Sequence, residues 1–138
     1  MRIMAIDYGD AHTGIAISDP TGFLAGFTTT INAYRPEVVA EQIAALAKEH
    51  GVEELVLGHP INMDGTRGPR SEKAQAMKVL LEEATSLPVV LWDERRTTID
   101  AHQILMGSGK NAKKRKKVVD AVAASLILEG YLTYKKNH

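Results

Sequence analysis

Three carboxylates stand in three different sequence settings, and together they are the donor types that a divalent-metal site requires. Asp7 ends the apolar run Ile3-Met4-Ala5-Ile6 and precedes Tyr8-Gly9. Glu94 follows Val89-Val90-Leu91-Trp92, inside Asp93-Glu94-Arg95. Asp120 is the lone acid in Val118-Val119-Asp120-Ala121-Val122-Ala123-Ala124. Magnesium and manganese prefer hard oxygen ligands, and magnesium is usually held by few carboxylates plus water and substrate phosphate. Two such ions about 4 Å apart activate a water and stabilise the leaving oxygen in phosphoryl transfer. That chemistry needs no side-chain nucleophile, which suits a chain without cysteine. Beside Asp120 runs Lys110-Asn111-Ala112-Lys113-Lys114-Arg115-Lys116-Lys117. Metal-holding acids next to a basic strip point to a hydrolase that cuts phosphodiesters.

Each acid also has an ordinary explanation. An aspartate at a strand end often only starts a turn. Against that, an acid at the tip of an apolar, central strand is unfavourable unless solvated or paired, and Gly9 and Gly14 would let a phosphate approach closely. Asp93-Glu94 with two following arginines also suits a salt-bridged corner. If the strand continues, these two acids point to opposite sides, so only one can share a site with Asp7. Asp120 falls in a helix that is apolar nearly all round, where an acid needs a partner such as a metal. Its competing reading is an acid facing the positive end of the helix dipole, which weakens if the helix starts before Lys116.

Candidate substrate contacts surround these acids. The longest irregular segment, His59 to Arg70, offers Asn62, Thr66, Arg67 and Arg70 as donors to phosphate or sugar oxygens. Arg95 follows Glu94 directly. Lys110, Lys113, Lys114, Arg115, Lys116 and Lys117 form the basic strip. The plain alternatives are a set of turns for the loop and a solvated run for the strip. His59 lacks a second histidine at metal spacing and reads as a structural or exposed residue. Trp92 reads as core. With aromatics at 5%, recognition is expected to rest on phosphate contacts and shape rather than on base stacking.

The elements that must position these groups follow from patterning. Length, 138 residues, predicts one domain over 1–138 with a substantial core. Arg2 to Asp7 and Gly14 to Ser18 read as strands, joined too closely for a crossover and therefore antiparallel. Asp19-Pro20-Thr21-Gly22 is a turn signal. Thr28 to Ile31 is β-branched and suits a third strand. A helix opens at Pro36 and ends at Gly51. Glu54 to Gly58 is a fourth strand, Ser71 to Thr85 a helix, and Val89 to Trp92 a fifth strand. A short helix is expected from Thr97 to about Met106, and a last one from about Lys116 to Tyr134. The order predicts an α/β fold, a five-stranded mixed sheet with helices on both faces. Sites in open α/β sheets gather at the carboxyl ends of strands, where Asp7 and Glu94 lie.

Charge and composition narrow the function classes. Net charge is zero, but six of the 17 basic residues crowd into the acid-free strip, so the remainder carries −6. A basic strip on an acidic body is a local anion-binding face. Without cysteine there is no disulfide, thiolate zinc site or cysteine nucleophile. No signal peptide or membrane span is visible, and a cytoplasmic location is expected.

Four motifs, taken together, resemble one family. They are Asp7-Tyr8-Gly9 with Gly14, Gly58-x-Pro60-x-Asn62-x-Asp64-Gly65-Thr66, Asp93-Glu94-Arg95-x-Thr97-Thr98, and Lys116-Lys117-x-x-Asp120-x-x-Ala123-Ala124. This set looks like the bacterial YqgF/RuvX family and covers essentially the whole chain. The resemblance implies a ribonuclease H-like fold related to the junction resolvase RuvC. It places the acidic triad on Asp7, Glu94 and Asp120, with Mg2+ or Mn2+ as the ion. It implies a nuclease that matures the 5′ end of pre-16S rRNA, so structured RNA and ribosomal particles are the expected partners. Members commonly carry an arginine in Asp-x-Gly-x-x-Arg-x-Gly; here that position is His12. Histidine carries charge only on the acidic side of neutrality, so a substrate contact through it weakens as pH rises. The triad also has fewer acids than resolvases carry, which leaves a tightly held second ion less well provided for.

Other readings use the same residues. A Holliday junction resolvase acting on branched DNA needs two sites about a symmetric junction, hence a dimer. Asp-x-Gly also resembles the first phosphate loop of actin-like ATPases, but those close two such domains around a nucleotide and this chain has room for one. A non-catalytic nucleic-acid-binding assembly factor fits the basic strip but leaves three acids facing phosphates without a metal.

Overall fold

A computed structural model of the chain describes residues 2–19, 25–59, 68–93 and 112–137, without the side chains of residues 25, 69–70, 112–121 and 136–137. The described elements are β1 (Arg2–Asp7), β2 (His12–Ser18), β3 (Ala25–Asn32), α1 (Pro36–His50), β4 (Val52–His59), α2 (Pro69–Thr85), β5 (Val89–Asp93) and α3 (Ala112–Asn137). The strands form one sheet in the order β3-β2-β1-β4-β5. β1 pairs antiparallel with β2, and β2 with β3. β4 lies parallel to β1, and β5 parallel to β4. The first three strands thus form a meander, and the last two return by helical crossovers, as parallel neighbours must.

β1 is central because it is apolar on both sides. Ile3, Met4, Ala5 and Ile6 are all buried, which only a strand covered on both faces allows. On one face Met4, Ile6, Ile15, Ile17, Leu55 and Leu57 pack against α1 and α2. On the other, Ile3, Ala5, Ala16, Val56 and Trp92 pack against α3. The mixed sheet with helices on both faces therefore stands.

Element boundaries shift where polar residues carry the secondary structure. β2 begins at His12 and β3 runs from Ala25, because His12 to Ser18 and Ala25 to Asn32 pair along their whole lengths. α1 ends as expected at Gly51, whose φ of 66° and backbone N–H to the Ala47 and Lys48 carbonyls close the helix. α2 opens two residues early, on Pro69 in its first turn. The larger correction concerns α3: it begins at Ala112, not near Lys116, so Lys113 to Lys117 are helical rather than a strip ahead of the helix. Lysine and arginine are good helix formers, but they give no apolar period to announce the helix. The expected turn at 20–22, the loop at 60–67 and the short helix at 97–106 lie outside the described residues.

Candidate active site

Period-two alternation decides which way the acids face. Ile3 and Ala5 belong to the α3 side, Met4 and Ile6 to the other. Asp7 therefore takes the α3 side and Tyr8 the opposite one, where Tyr8 packs against the α1/α2 cluster. Asp7 is half-buried at the carboxyl end of β1. Its partner on β2 is Gly14, which has no side chain, and the next position on that face is Ala16. The floor beside the carboxylate is low, which leaves room for hydrated ions or phosphate oxygens. The β1–β2 turn is tight as well: a Cβ on Gly9 would collide with the His12 carbonyl oxygen.

His12 lies on the same face of β2 as Gly14 and Ala16. Its Nδ1 donates to Asn32 Oδ1 at 2.6 Å across the β2–β3 pairing. That bond fixes the ring at the same edge of the sheet as Asp7 and leaves Nε2 as the second polar atom. Asn32 drew no attention in the sequence, because its partner is 20 residues away.

α3 is oriented by its far end. Lys135 Nζ reaches Glu54 Oε1 at 3.4 Å, and Tyr131 hydrogen-bonds the same carboxylate. Burial, then the bond to Glu54 and its charge, push the Tyr131 phenol far up, so it stays a neutral donor. Glu54 is near the start of β4. From Lys135 back to Asp120 the helix covers about 22 Å, and β4 covers about 17 Å from Glu54 to His59. The amino-terminal half of α3 is thus directed toward the carboxyl ends of the strands. Ala124, Ile127, Leu128 and Tyr131 are its buried stripe. Position 120 precedes Ala124 by one turn on that stripe, and Lys113, Lys116 and Lys117 continue it by helical spacing. Because α3 starts at Ala112, position 120 is beyond the first turn, where the dipole acts. The competing reading of Asp120 as a helix-dipole acid is thereby weakened.

Asp93 closes β5 opposite His59. Leu91 sits with the α1/α2 cluster and Trp92 with the α3 cluster, so alternation puts Asp93 on the side away from Asp7. Trp92 is core, as expected. Its indole fits against Gly130, where a Cβ would come within 3.3 Å of the ring, and it meets the Tyr131 ring edge-on at 5.8 Å between centroids. His59 is buried, and its Nε2 shares a 2.6 Å hydrogen bond with Ser71 Oγ. Its structural reading holds.

The structure thus brings Asp7 and His12 together on one face and edge, and aims the helix carrying Asp120 at them. Arg70, Lys113, Lys114, Arg115, Lys116, Lys117 and Asp120 are described by backbone alone. Asn62, Thr66, Arg67, Glu94, Arg95 and Lys110 lie outside the described residues. Among the described residues no group of three histidine, cysteine or acidic side chains is assembled for a metal. Asp7 itself is a suitable hard donor for such an ion. No helix among the described residues is long and apolar enough to cross a membrane.

Comparison with known proteins agrees with this fold. Residues 1–134 match the family model described as "RuvX: Holliday junction resolvase". A protein of Halothermothrix orenii named "Putative pre-16S rRNA nuclease" is 45% identical over 135 residues, covering 98% of this chain and 96% of that relative. A protein of Clostridium botulinum (strain Alaska E43 / Type E3) with the same name is 46% identical over 132 residues, covering 96% of each. Among solved structures, Thermus thermophilus RuvC in complex with a Holliday junction substrate aligns with a TM-score of 0.64 over 99% of this chain and 96% of that one. At 13% identity, that likeness establishes the shared ribonuclease H-like fold.

Proposed function

The chain belongs to the RuvX family, and from that membership we propose that it is a metal-dependent endonuclease that matures the 5′ end of pre-16S rRNA in the cytoplasm. The relatives' names support the substrate. The observation that carries the chemistry is Asp7, half-buried at the carboxyl end of the central strand and on the face that α3 covers.

Asp7, Glu94 and Asp120 would hold magnesium or manganese through hard carboxylate oxygens. When bound, such an ion supplies an activated water and neutralises charge developing on the phosphate. Glu94 is preferred to Asp93 because alternation turns Asp93 to the side away from Asp7 and the family resemblance falls on Glu94. Asp7 rides on a strand whose neighbours are fixed by packing, so its carboxylate is held in place without loop movement. His12, braced through Nδ1 by Asn32, would give a phosphate oxygen a hydrogen bond from Nε2 in its doubly protonated form, since the neutral ring has only the Nδ1 proton already given to Asn32. Lys110, Lys113, Lys114, Arg115, Lys116 and Lys117 lower the charge of the RNA backbone as it enters. Asn62, Thr66, Arg67, Arg70 and Arg95 supply donors to phosphate and sugar.

The family model's own description favours a second reading, resolution of four-way DNA junctions. One experiment separates the two. Labelled pre-16S leader RNA and a four-way DNA junction are offered to wild type and Asp7→Asn, with magnesium, manganese or EDTA. RNA cleavage that needs the ion and is lost in Asp7→Asn supports the first reading. Symmetric junction cleavage, with a dimer in solution, replaces it with the second. Tight, salt-sensitive binding without cleavage of either removes both and leaves an assembly factor.

A further inference from the structure

A second opening lies at the carboxyl ends of the strands, on the face opposite Asp7. It is a cleft of about 450 Å³ between the β1–β2 turn, the first turn of α1 and the middle of α2. Met77 and Leu80 give it an apolar lining, the first buried and the second half-buried. Tyr8 and Tyr34 also line it, and Tyr34 is 81% exposed. The cleft adjoins the candidate active site along the chain rather than through a shared cavity. Tyr8 is the residue after Asp7, and the Ala33 N–H donates to the Ala11 carbonyl at 3.1 Å, tying the Tyr34 segment to that same turn.

The rim decides what fits. Lys73 Nζ bonds Asp10 Oδ1 at 2.9 Å, and Glu37 lies 3.8 Å from Arg35. Among the described lining residues, Asp10 and Glu37 border the cleft with one cation, Lys73, and both acids are paired, Asp10 with Lys73 and Glu37 with the neighbouring Arg35. A phosphate there would meet two carboxylates, so this is not a second phosphate site. Two carboxylates over an apolar floor with aromatic walls suit a flat, neutral ring whose edge carries N–H donors. Aromatic side chains take bases by stacking, and acids accept from base amino groups. The Tyr8 hydroxyl adds a hydrogen-bonding group to the same wall.

We infer that this cleft takes an unpaired nucleobase of the RNA strand, next to the phosphate that lies at Asp7. The inference rests on the nuclease reading for its strand, but not for its test. The strand would cross the carboxyl edge of the sheet, its backbone on the α3 side and one base turned over to the α1/α2 side. The site would then select RNA that is single-stranded beside the cut.

The test is binding without cleavage. A tetraribonucleotide carrying 2-aminopurine is titrated into wild type, Tyr34→Ala and Tyr34→Phe, with a blunt RNA duplex as the second ligand. Wild type should quench the probe. Tyr34→Ala should bind it on the order of 10- to 100-fold more weakly, the loss of one stacked base, and Tyr34→Phe should bind as wild type does. Duplex affinity should be the same in all three. Tyr34 is exposed, so its replacement leaves the core intact. No quenching by wild type, or equal affinity in Tyr34→Ala, overturns the inference. Cleavage of leader RNA without quenching removes the cleft and leaves the nuclease. Quenching that depends on Tyr34, without any cleavage, keeps the cleft and removes the nuclease.

Discussion

The two faces of the sheet are packed with different residues, and the difference separates stability from chemistry. The α1/α2 face is built from large aliphatic side chains: Met4, Ile6, Ile15, Ile17, Ile43, Leu55, Leu57, Met77 and Leu81. The α3 face is lined near its centre by small ones, Ala5, Ala16 and Ala124, with Gly14 beside Asp7. Large residues bury more apolar area and hold their helices at ordinary distance. Small residues let a helix backbone approach the sheet closely, and α3 packs there against β1 and β2. One face contributes most of the apolar burial. On the proposed reading, the other gives up side-chain volume where Asp7 and the turn of position 120 would serve one ion.

That contrast is open to direct attack. The largest effect belongs to the α3 face: Asp7→Asn or Asp120→Asn should lower cleavage of leader RNA on the order of a thousandfold or more. Their urea midpoints should match or exceed wild type. A triad variant with full metal-dependent activity would break the assignment. Next, Leu57→Ala on the α1/α2 face should cost about 2–5 kcal/mol of stability, while each folded molecule cleaves at the wild-type rate. A loss of activity beyond the unfolded fraction would show that the two faces are not separable. Third, Ala16→Leu should overpack the α3 face by about 1–3 kcal/mol and lift α3 from the sheet. Here activity should fall further than stability explains, the reverse of Leu57→Ala. The smallest change is Thr13→Val. Thr13 is fully buried and its hydroxyl has no hydrogen-bond partner among the described residues. Removing it should stabilise by up to about 1 kcal/mol, read as a raised thermal midpoint with unchanged cleavage. A destabilised variant would reveal a partner for that hydroxyl.

Much of this was legible in the chain, for physical reasons that differ by residue. Apolar runs such as Ile3 to Ile6 and Leu55 to Leu57 announce buried strands because nothing else accommodates them, and Gly51 announces a helix end through its left-handed backbone. Asp7 was legible because an acid at the tip of such a run is out of place. The start of α3 was not, since Lys113 to Lys117 form helix without an apolar period. Nor were Asn32 behind His12, or the cleft shared by Tyr8 and Tyr34. Those pairs are made by sheet register and by the meeting of a turn with two helices, and composition alone argued against any aromatic platform. The motifs over 58–66 and 93–98 carried the family resemblance, yet Asn62, Thr66, Glu94 and Arg95 gain no structural description beyond it.

α3 crosses the face to which β1 contributes Asp7, and among the described elements it follows every strand while β1 precedes them. Synthesis proceeds from the amino end, and the early strands can pair as they emerge. The meander and its α1/α2 cover can therefore form while the tail is still being made, but the Asp7 side has no lid until Asp120 and the residues after it are free to dock. On the nuclease reading, the competence to cut arrives late in synthesis, only once α3 has been made and has docked.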